Sequence, residues 1–430
     1  MNADATAGAE QHGTARAALR HRRFRILFIG ASLSNVGTWM QNFMLPAYLD
    51  VRTGSAAFVG LLIFAQLGPM LFGSVPAGVL ADRVDRTRLI LAMQASMMVL
   101  SIVLGGLARW SAPIWTIFAI QLGIGIANTV QAPAFNASLP SLVPRADIGG
   151  AVSLNSAMIN GSRIAGPALA AFLGWIGLDL WQLFLINAAT YCFVMVPLAK
   201  NHLPSINGMN KAKGWRALTA GVGLARRRKV LLVLLSSMFC FSVVSLPYIG
   251  LFPSVTRLNL GLAADSGAYK VLYITWGLGA FLGALSVGTV FSEVSRHILI
   301  RWSFRLFALF LFLFAITSNF AVALPVSFVL GVVYFLLATA MMTELQHNLT
   351  DAERASIMPL WFMSFGGSIP IGNLLAGPIM DAVGARWVLA VGAIAAAVNG
   401  VISDLGRLDE DDFLDGEPTS IPETGPSRLH

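Results

Sequence analysis

The chain has 430 residues, 56% of them hydrophobic and only 12% charged, with a formal net charge of +8. Soluble domains average about 25% charged residues. Together with a mean hydropathy of +0.71, this excludes a soluble enzyme or nucleic-acid-binding domain and places the chain in a membrane. Ten-residue alternating segments are absent, which excludes an outer-membrane barrel.

A membrane-spanning helix needs roughly 20 apolar residues. An arginine-rich stretch at 1–23 precedes the first such segment, 24–49 (span 1), which is too long for a signal-peptide core and lacks an A-x-A site after it. Further segments follow at 57–80, 89–108, 113–135, 148–174 and 180–199 (spans 2 to 6). The longest interior polar stretch, 200–229, reads as a cytoplasmic linker; from Trp215 to Lys229 it has the pattern of an amphipathic surface helix, with a solvated basic linker as the alternative. Spans 7 to 12 are 230–256, 268–291, 298–317, 320–342, 355–380 and 386–403. Beyond them, 404–430 carries Asp409, Glu410, Asp411 and Asp412 before Gly-, Pro- and Ser-rich sequence, the composition of a disordered acidic tail. The fold class expected is an all-α membrane protein with twelve transmembrane helices.

Charge sets the orientation. Arg52, Arg109, Arg257, Lys270 and Arg386 fall on one side of this arrangement and Arg163 falls within span 5; every other Lys and Arg falls on the opposite side. The positive-inside rule then puts both termini in the cytoplasm, so the net charge reports topology rather than a nucleic-acid partner. Cys192 and Cys240 lie in apolar spans and the six His are scattered, so neither a disulfide framework nor a metal site is expected. No phosphate-binding G-x-x-x-x-G-K-[ST], nucleophile elbow or HExxH occurs, so no cofactor and no enzymatic chemistry are expected.

Sliding the chain by 211 residues aligns its halves: Ala57 with Ala268, Ile63 with Ile274, Asp82 with Glu293, Gly161 with Gly372, and Gly166-Pro167 with Gly377-Pro378. One shift thus pairs span 2 with span 8 and span 5 with span 11. The chain therefore reads as two six-helix bundles, 24–199 and 230–403, related by a pseudo-two-fold axis, with a substrate site between them near the midplane.

Between spans 2 and 3 lies GVLADRVDRTRLI at 78–90. Twelve spans, a 6+6 repeat, a long central loop and this motif resemble the major facilitator superfamily over about 24–403. The superfamily pattern G-x-x-x-D-[RK]-x-G-[RK]-[RK] is met by Gly78, Asp82, Arg83 and Arg86, whereas Asp85 and Thr87 depart from it. The D-R-x-D-R form, with TGSAAFVGLLIF at 53–64 and SLVPRADIGGAVSLNSAMINGSRIAGPALA at 141–170, resembles the branch of the enterobactin exporter and multidrug or macrolide efflux carriers.

The resemblance implies an alternating-access carrier whose inner gate is Gly78, Asp82, Arg83, Asp85, Arg86 and Arg88. A carboxylate at Asp82 suits the orphan N–H groups and positive dipole end of span 11's N-terminus, with pure topology anchoring as the alternative. Gly161, Gly166 and Pro167, with Gly377 and Pro378, form a small-residue, helix-bend motif. Arg163 at bilayer depth costs about 2.5–3.5 kcal/mol on insertion scales, so it should face the interior and meet Gln41, Asn42 or Asp50. Glu344, Asp50 and Arg163 are the candidates for proton coupling; a structural pair is the alternative for each, Arg52 for Asp50 and Arg354 or Arg145 for Glu344. Spans 1, 4, 7 and 10 should line the cavity with Asn35, Trp39, Gln41, Asn42, Gln121, Asn128, Gln131, Ser237, Tyr248 and Tyr334. Few acids among them favour amphiphilic or anionic cargo. The expected function is a proton-coupled exporter of a small amphiphilic molecule, a drug or siderophore, in the bacterial inner membrane, monomeric and in contact with lipid. An uptake permease, or a non-transporting receptor or scaffold on the same fold, is the alternative.

Overall fold

A computed structural model describes residues 13–138, 140–200, 203 and 214–405; the tail at 406–430 lies outside them. All regular structure among the described residues is helical. Span 1 is Arg22–Thr53, span 2 Ala56–Arg83, span 3 Arg86–Arg109, span 4 Ile114–Ser138 and span 5 Ile148–Trp175. Span 6 joins Leu180–Thr190 to Cys192–Lys200. Spans 8, 9, 10 and 12 are Gly267–Ser286, Arg296–Ile316, Phe320–His347 and Ala385–Ile402.

Spans 7 and 11 are built differently. Span 7 runs Lys229–Cys240, widens into a π-helical turn at Phe241–Ser245, and resumes as Pro247–Gly250 and Phe252–Leu260. Span 11 runs Asp351–Phe362, widens at Met363–Gly367 and resumes as Ile369–Val383. A proline removes one N–H and crowds the preceding turn, and each wide turn lies just ahead of one, Pro247 or Pro370. Among the described residues, eight helices are individually long and apolar enough to cross a membrane. The remaining four spans are these two broken ones and spans 1 and 5.

The expected bends at Gly166-Pro167 and Gly377-Pro378 are not where the helices break: Pro167 and Pro378 both lie inside uninterrupted helices. The two glycines serve close approach instead. A Cβ on Gly166 would sit 2.6 Å from the Met40 backbone nitrogen of span 1, and one on Gly377 would sit 2.6 Å from the Ala56 carbonyl oxygen of span 2. Gly161 faces open space, whereas its repeat mate Gly372 lies against the Val243 carbonyl.

Packing repeats with the sequence. Span 2 packs on 4, 3 on 4, 3 on 6 and 1 on 5; in the second half 8 packs on 10, 9 on 10, 9 on 12 and 7 on 11. The halves meet where span 2 packs on 11, 5 on 8 and 1 on 7. Large apolar side chains such as Phe72, Trp115, Trp175, Trp387 and Ile394 are exposed on the periphery, as a lipid-facing surface requires. The linker forms a helix, Gly214–Arg227, that turns by 114° into span 7 and packs on spans 11 and 2 at the arginine-rich end. Its lysines at 211 and 213 lie outside the described residues. That end is called the basic end below, and the opposite one the far end.

Candidate functional site

Arg163 lies near the middle of span 5, and its surroundings define the site. Its guanidinium carbon lies 5.0 Å from the Trp39 ring centre on span 1 and 5.2 Å from that of Phe335 on span 10. The cation is therefore held between rings from opposite halves, at distances where cation–π attraction operates. Its Nε has no hydrogen-bond partner, and no carboxylate among the described residues pairs with it. Tyr273 of span 8 and Tyr334 of span 10 lie within its electrostatic reach. Gly166, one turn along span 5, lets the span 1 backbone come close enough for Trp39 to stack on Arg163.

The rings form a continuous wall. Phe43 stands 4.5 Å from Tyr273, Tyr273 is 5.5 Å from Trp276, and Trp276 stacks at 6.3 Å on Tyr334. Tyr334 also meets Phe335 at 4.5 Å and, on span 11, Phe365 at 6.3 Å. Spans 1, 5, 8, 10 and 11 therefore all contribute. Span 8 had not been expected to line the cavity; Tyr273 and Trp276, three residues apart on one helical face, are the signal that would have found it.

The residues expected to hold Arg163 are engaged elsewhere. Gln41 is buried, and its Oε1 accepts from Ser101 Oγ at 3.1 Å and Asn187 Nδ2 at 2.7 Å, tying span 1 to spans 3 and 6. Asn42 is half-buried. Among the other cavity candidates, half-buried Asn35 donates to the Ala31 carbonyl at 3.2 Å. Gln121 and Gln131 are buried with carbonyl oxygens lacking a hydrogen-bond partner. Asn128 is exposed on the helix face of Gln121, two turns along. Ser237 bonds Ser403 inside the second half, and Tyr248 accepts from Trp276 Nε1 at 3.1 Å while fully buried. Both are turned into their own bundle.

At the far end two carboxylates join the halves. Asp50 is completely buried near the end of span 1. Its Oδ2 accepts from Arg257 Nε at 2.9 Å, and its Oδ1 from Arg257 Nη2 at 3.1 Å and Ser254 Oγ at 2.5 Å, all from span 7. Arg52, the expected partner, instead bonds the Tyr48 hydroxyl and the Ser111 and Ala112 carbonyls. Asp381, at the far end of span 11, caps span 2: its carboxylate accepts from Ser55 Oγ at 2.5 Å and from the Ala56 and Ala57 N–H groups at 2.7 and 2.9 Å. These are orphan donors at a helix N-terminus, where negative charge also meets the positive dipole end. Gly54, with φ of 60°, ends span 1 and turns the chain so that Ser55 faces Asp381.

The 78–88 motif lies at the basic end. A Cβ on Gly78 would meet no atom within 4 Å. Arg83 and Arg88 are exposed and Arg86 half-buried, and the Asp82 side chain lies outside the described residues. Asp85, which stands where the superfamily has glycine, caps span 3 by accepting from the Arg88 N–H at 2.8 Å. The N-terminus of span 11 is capped by its own Thr350 and Glu353. Glu344 meets neither Arg354 nor Arg145: it accepts from Arg296 Nε at 2.8 Å and Asn348 Nδ2 at 2.8 Å and lies 3.2 Å from His297 Nε2, fastening span 10 to the start of span 9.

Comparison with known proteins gives the family. A family model described as transmembrane secretion effector matches residues 13–425. The chain belongs to this family of major facilitator transporters. Similar proteins of the family's kind include macrolide efflux protein A of Streptococcus pyogenes, 24% identical over 420 residues and covering 90% of this chain and 97% of the relative. The staphyloferrin A transporter of Staphylococcus aureus is 23% identical, covering 84% and 90% respectively. The enterobactin exporter of Salmonella typhimurium is 25% identical over 275 residues, covering 64% and 61%. Among solved structures, a nucleoside transporter NupG superposes with a TM-score of 0.73 at 14% identity, over 89% of this chain and 99% of that one. A bacterial homolog of the lysosomal transporter Spinster, inward-facing and unoccupied, gives 0.67 at 13%, over 92% and 98%. The chain is thus a multi-pass membrane transporter on the major facilitator fold.

Proposed function

We propose that this transporter is a proton-coupled exporter of a small amphiphilic molecule, a drug or siderophore, working by alternating access in the bacterial inner membrane. The basic end faces the cytoplasm, and both termini lie there. The observation that carries this reading is the asymmetry of the contacts between halves. They are built at the far end, through Asp50–Arg257, the Asp381 cap, and the approach of Gly60 to the Asn373 carbonyl. They run inward to Leu71 against Gly367, and beyond that Gly78 faces open space. A carrier loading from the cytoplasm has this form. The efflux relatives favour export over uptake.

Proton coupling falls best on Asp50. It is the buried carboxylate that joins the halves, so protonating it weakens the Arg257 contact that closes the far end. Glu344 is fixed within one half. Asp82 is proposed to serve the opposite state, capping span 11 at the basic end as Asp381 caps span 2 at the far end. The test is flux in proteoliposomes under an imposed pH gradient, with a macrolide and a catecholate siderophore as probes. Gradient-driven extrusion with proton counterflow supports the reading. Inward accumulation with the gradient would establish an uptake permease, and absence of flux with both probes would favour a receptor or scaffold.

A further inference from the structure

We infer that the ring cluster around Arg163, in which Arg163, Trp39 and Tyr273 keep partial exposure, is a binding subsite selective for aromatic anions, a planar ring bearing a carboxylate or similarly placed negative group. This rests on the transporter reading above and narrows its substrate class. Three observations carry it.

The first is the missing counter-ion. Arg163 lies at membrane depth, yet no carboxylate among the described residues pairs with it, and Asp50, buried at the far end of span 1, is engaged by Arg257 and Ser254. A cation at bilayer depth is normally paired, and half-buried Arg163 is met by ring faces, with its buried Nε left without an acceptor. An arriving anion supplies the missing acceptor, and the planar guanidinium suits a carboxylate held by two parallel hydrogen bonds.

The second is the donor balance. The Tyr273 and Tyr334 hydroxyls share the field of Arg163, and both can donate to an anion. Trp276, whose N–H is donor-only, is already committed to Tyr248. No Asp or Glu in the described structure lies among the rings, so an ammonium group would meet a like charge with nothing to offset it.

The third is the wall. Trp39, Phe335, Tyr273 and Trp276 come from spans of both halves, and their faces fit a flat apolar body by stacking. Because Trp39 and Phe335 belong to opposite halves, rocking between states separates the two rings that hold the guanidinium. Cargo bound there would therefore sense the conformational change directly.

The test uses the purified full-length protein and a matched set of ligands on one ring: 4-hydroxyphenylacetate, neutral tyrosol and cationic tyramine, with citrate as an anion lacking a ring. Ligand-observed NMR titration gives each Kd. Expected for the wild type is binding of 4-hydroxyphenylacetate at least tenfold tighter than tyrosol, with tyramine and citrate weaker than tyrosol. Arg163→Gln should abolish the preference for acid over amine, and Arg163→Lys should keep part of it. A merely structural Arg163 would change all four affinities together and leave their ratios alone. Equal or tighter tyramine binding, or an unchanged acid-to-amine ratio in a monodisperse Arg163→Gln protein, would overturn the inference. If Arg163→Gln fails to fold, the wild-type ratios and Arg163→Lys still decide it. Extrusion of a cationic probe by wild-type protein lacking this ratio would sink the anion site while leaving the exporter reading intact.

Discussion

Removing the Asp381 carboxylate should release the far end. In the structure this group takes three donors at the start of span 2: Ser55 Oγ at 2.5 Å, Ala56 N at 2.7 Å and Ala57 N at 2.9 Å. Loss of an N-terminal cap costs about 0.5–2 kcal/mol, and an anion at the positive helix end adds about 0.3–1 kcal/mol. Asp381 is exposed, so screening holds the dipole share to its lower limit. The Asp381→Ala change should therefore disfavour this state by about 1–2 kcal/mol, a factor of roughly 5–30 in the ratio of the two states. Asp381→Asn keeps one acceptor oxygen and should shift it less. The assay is pulsed electron–electron distance measurement between spin labels at Ser111 and Ser318, on far-end loops of opposite halves, with Cys192 and Cys240 replaced by Ser. The long-distance population should grow in the order wild type, Asn, Ala. Identical distance distributions in all three proteins would refute the capping argument.

Other substitutions read different contacts. Asp50→Asn leaves Arg257 partly buried without its charge partner; because Arg257 keeps some exposure, the cost should be about 2–3 kcal/mol, below the full buried-pair range, seen as a lower melting temperature and weakened proton dependence of flux. Gly166→Val would push a side chain into the Met40 backbone; overpacking of this kind costs about 1–3 kcal/mol, and Gly166→Ala should fall between it and the wild type in thermal melts. Glu344→Gln should lower the melting temperature by an amount equivalent to about 1–3 kcal/mol and leave the pH profile of transport unchanged; a shifted profile at unchanged stability would instead make Glu344 the proton carrier. Asp82→Asn should insert normally yet lose most transport, and wild-type rates in that variant would remove Asp82 from the gate.

Much of the fold was legible because the bilayer enforces it. Any stretch that crosses lipid must satisfy its backbone internally, so apolar stretches make the spans legible, and the shift of 211 residues foretells the pairing of 2 on 4 with 8 on 10. The site was less legible. Arg163 is legible as a charge within a span, and Trp39 and Tyr334 as cavity residues, but the polar partners expected for Arg163 lie elsewhere. Gln41 looked like cavity lining and is a cross-brace to Ser101 and Asn187. Polarity in a span marks a residue that must face protein, and it does not say which neighbour. Tyr273 and Phe335 are not legible in the sequence, because aromatic residues are common in the spans and only their convergence on one guanidinium distinguishes them.

The sequence by itself determined membrane residence, the number of spans and the repeat, because hydropathy and constant spacing are local or additive properties of the chain. Tertiary structure alone decided which carboxylate joins which helix. Asp381 lies 325 residues from the Ala56 N–H it caps, and Asp50 lies 207 from Arg257. A helix N-terminus accepts any anion that reaches it, so it is the packing of span 11 on span 2 that assigns Asp381 to the start of span 2.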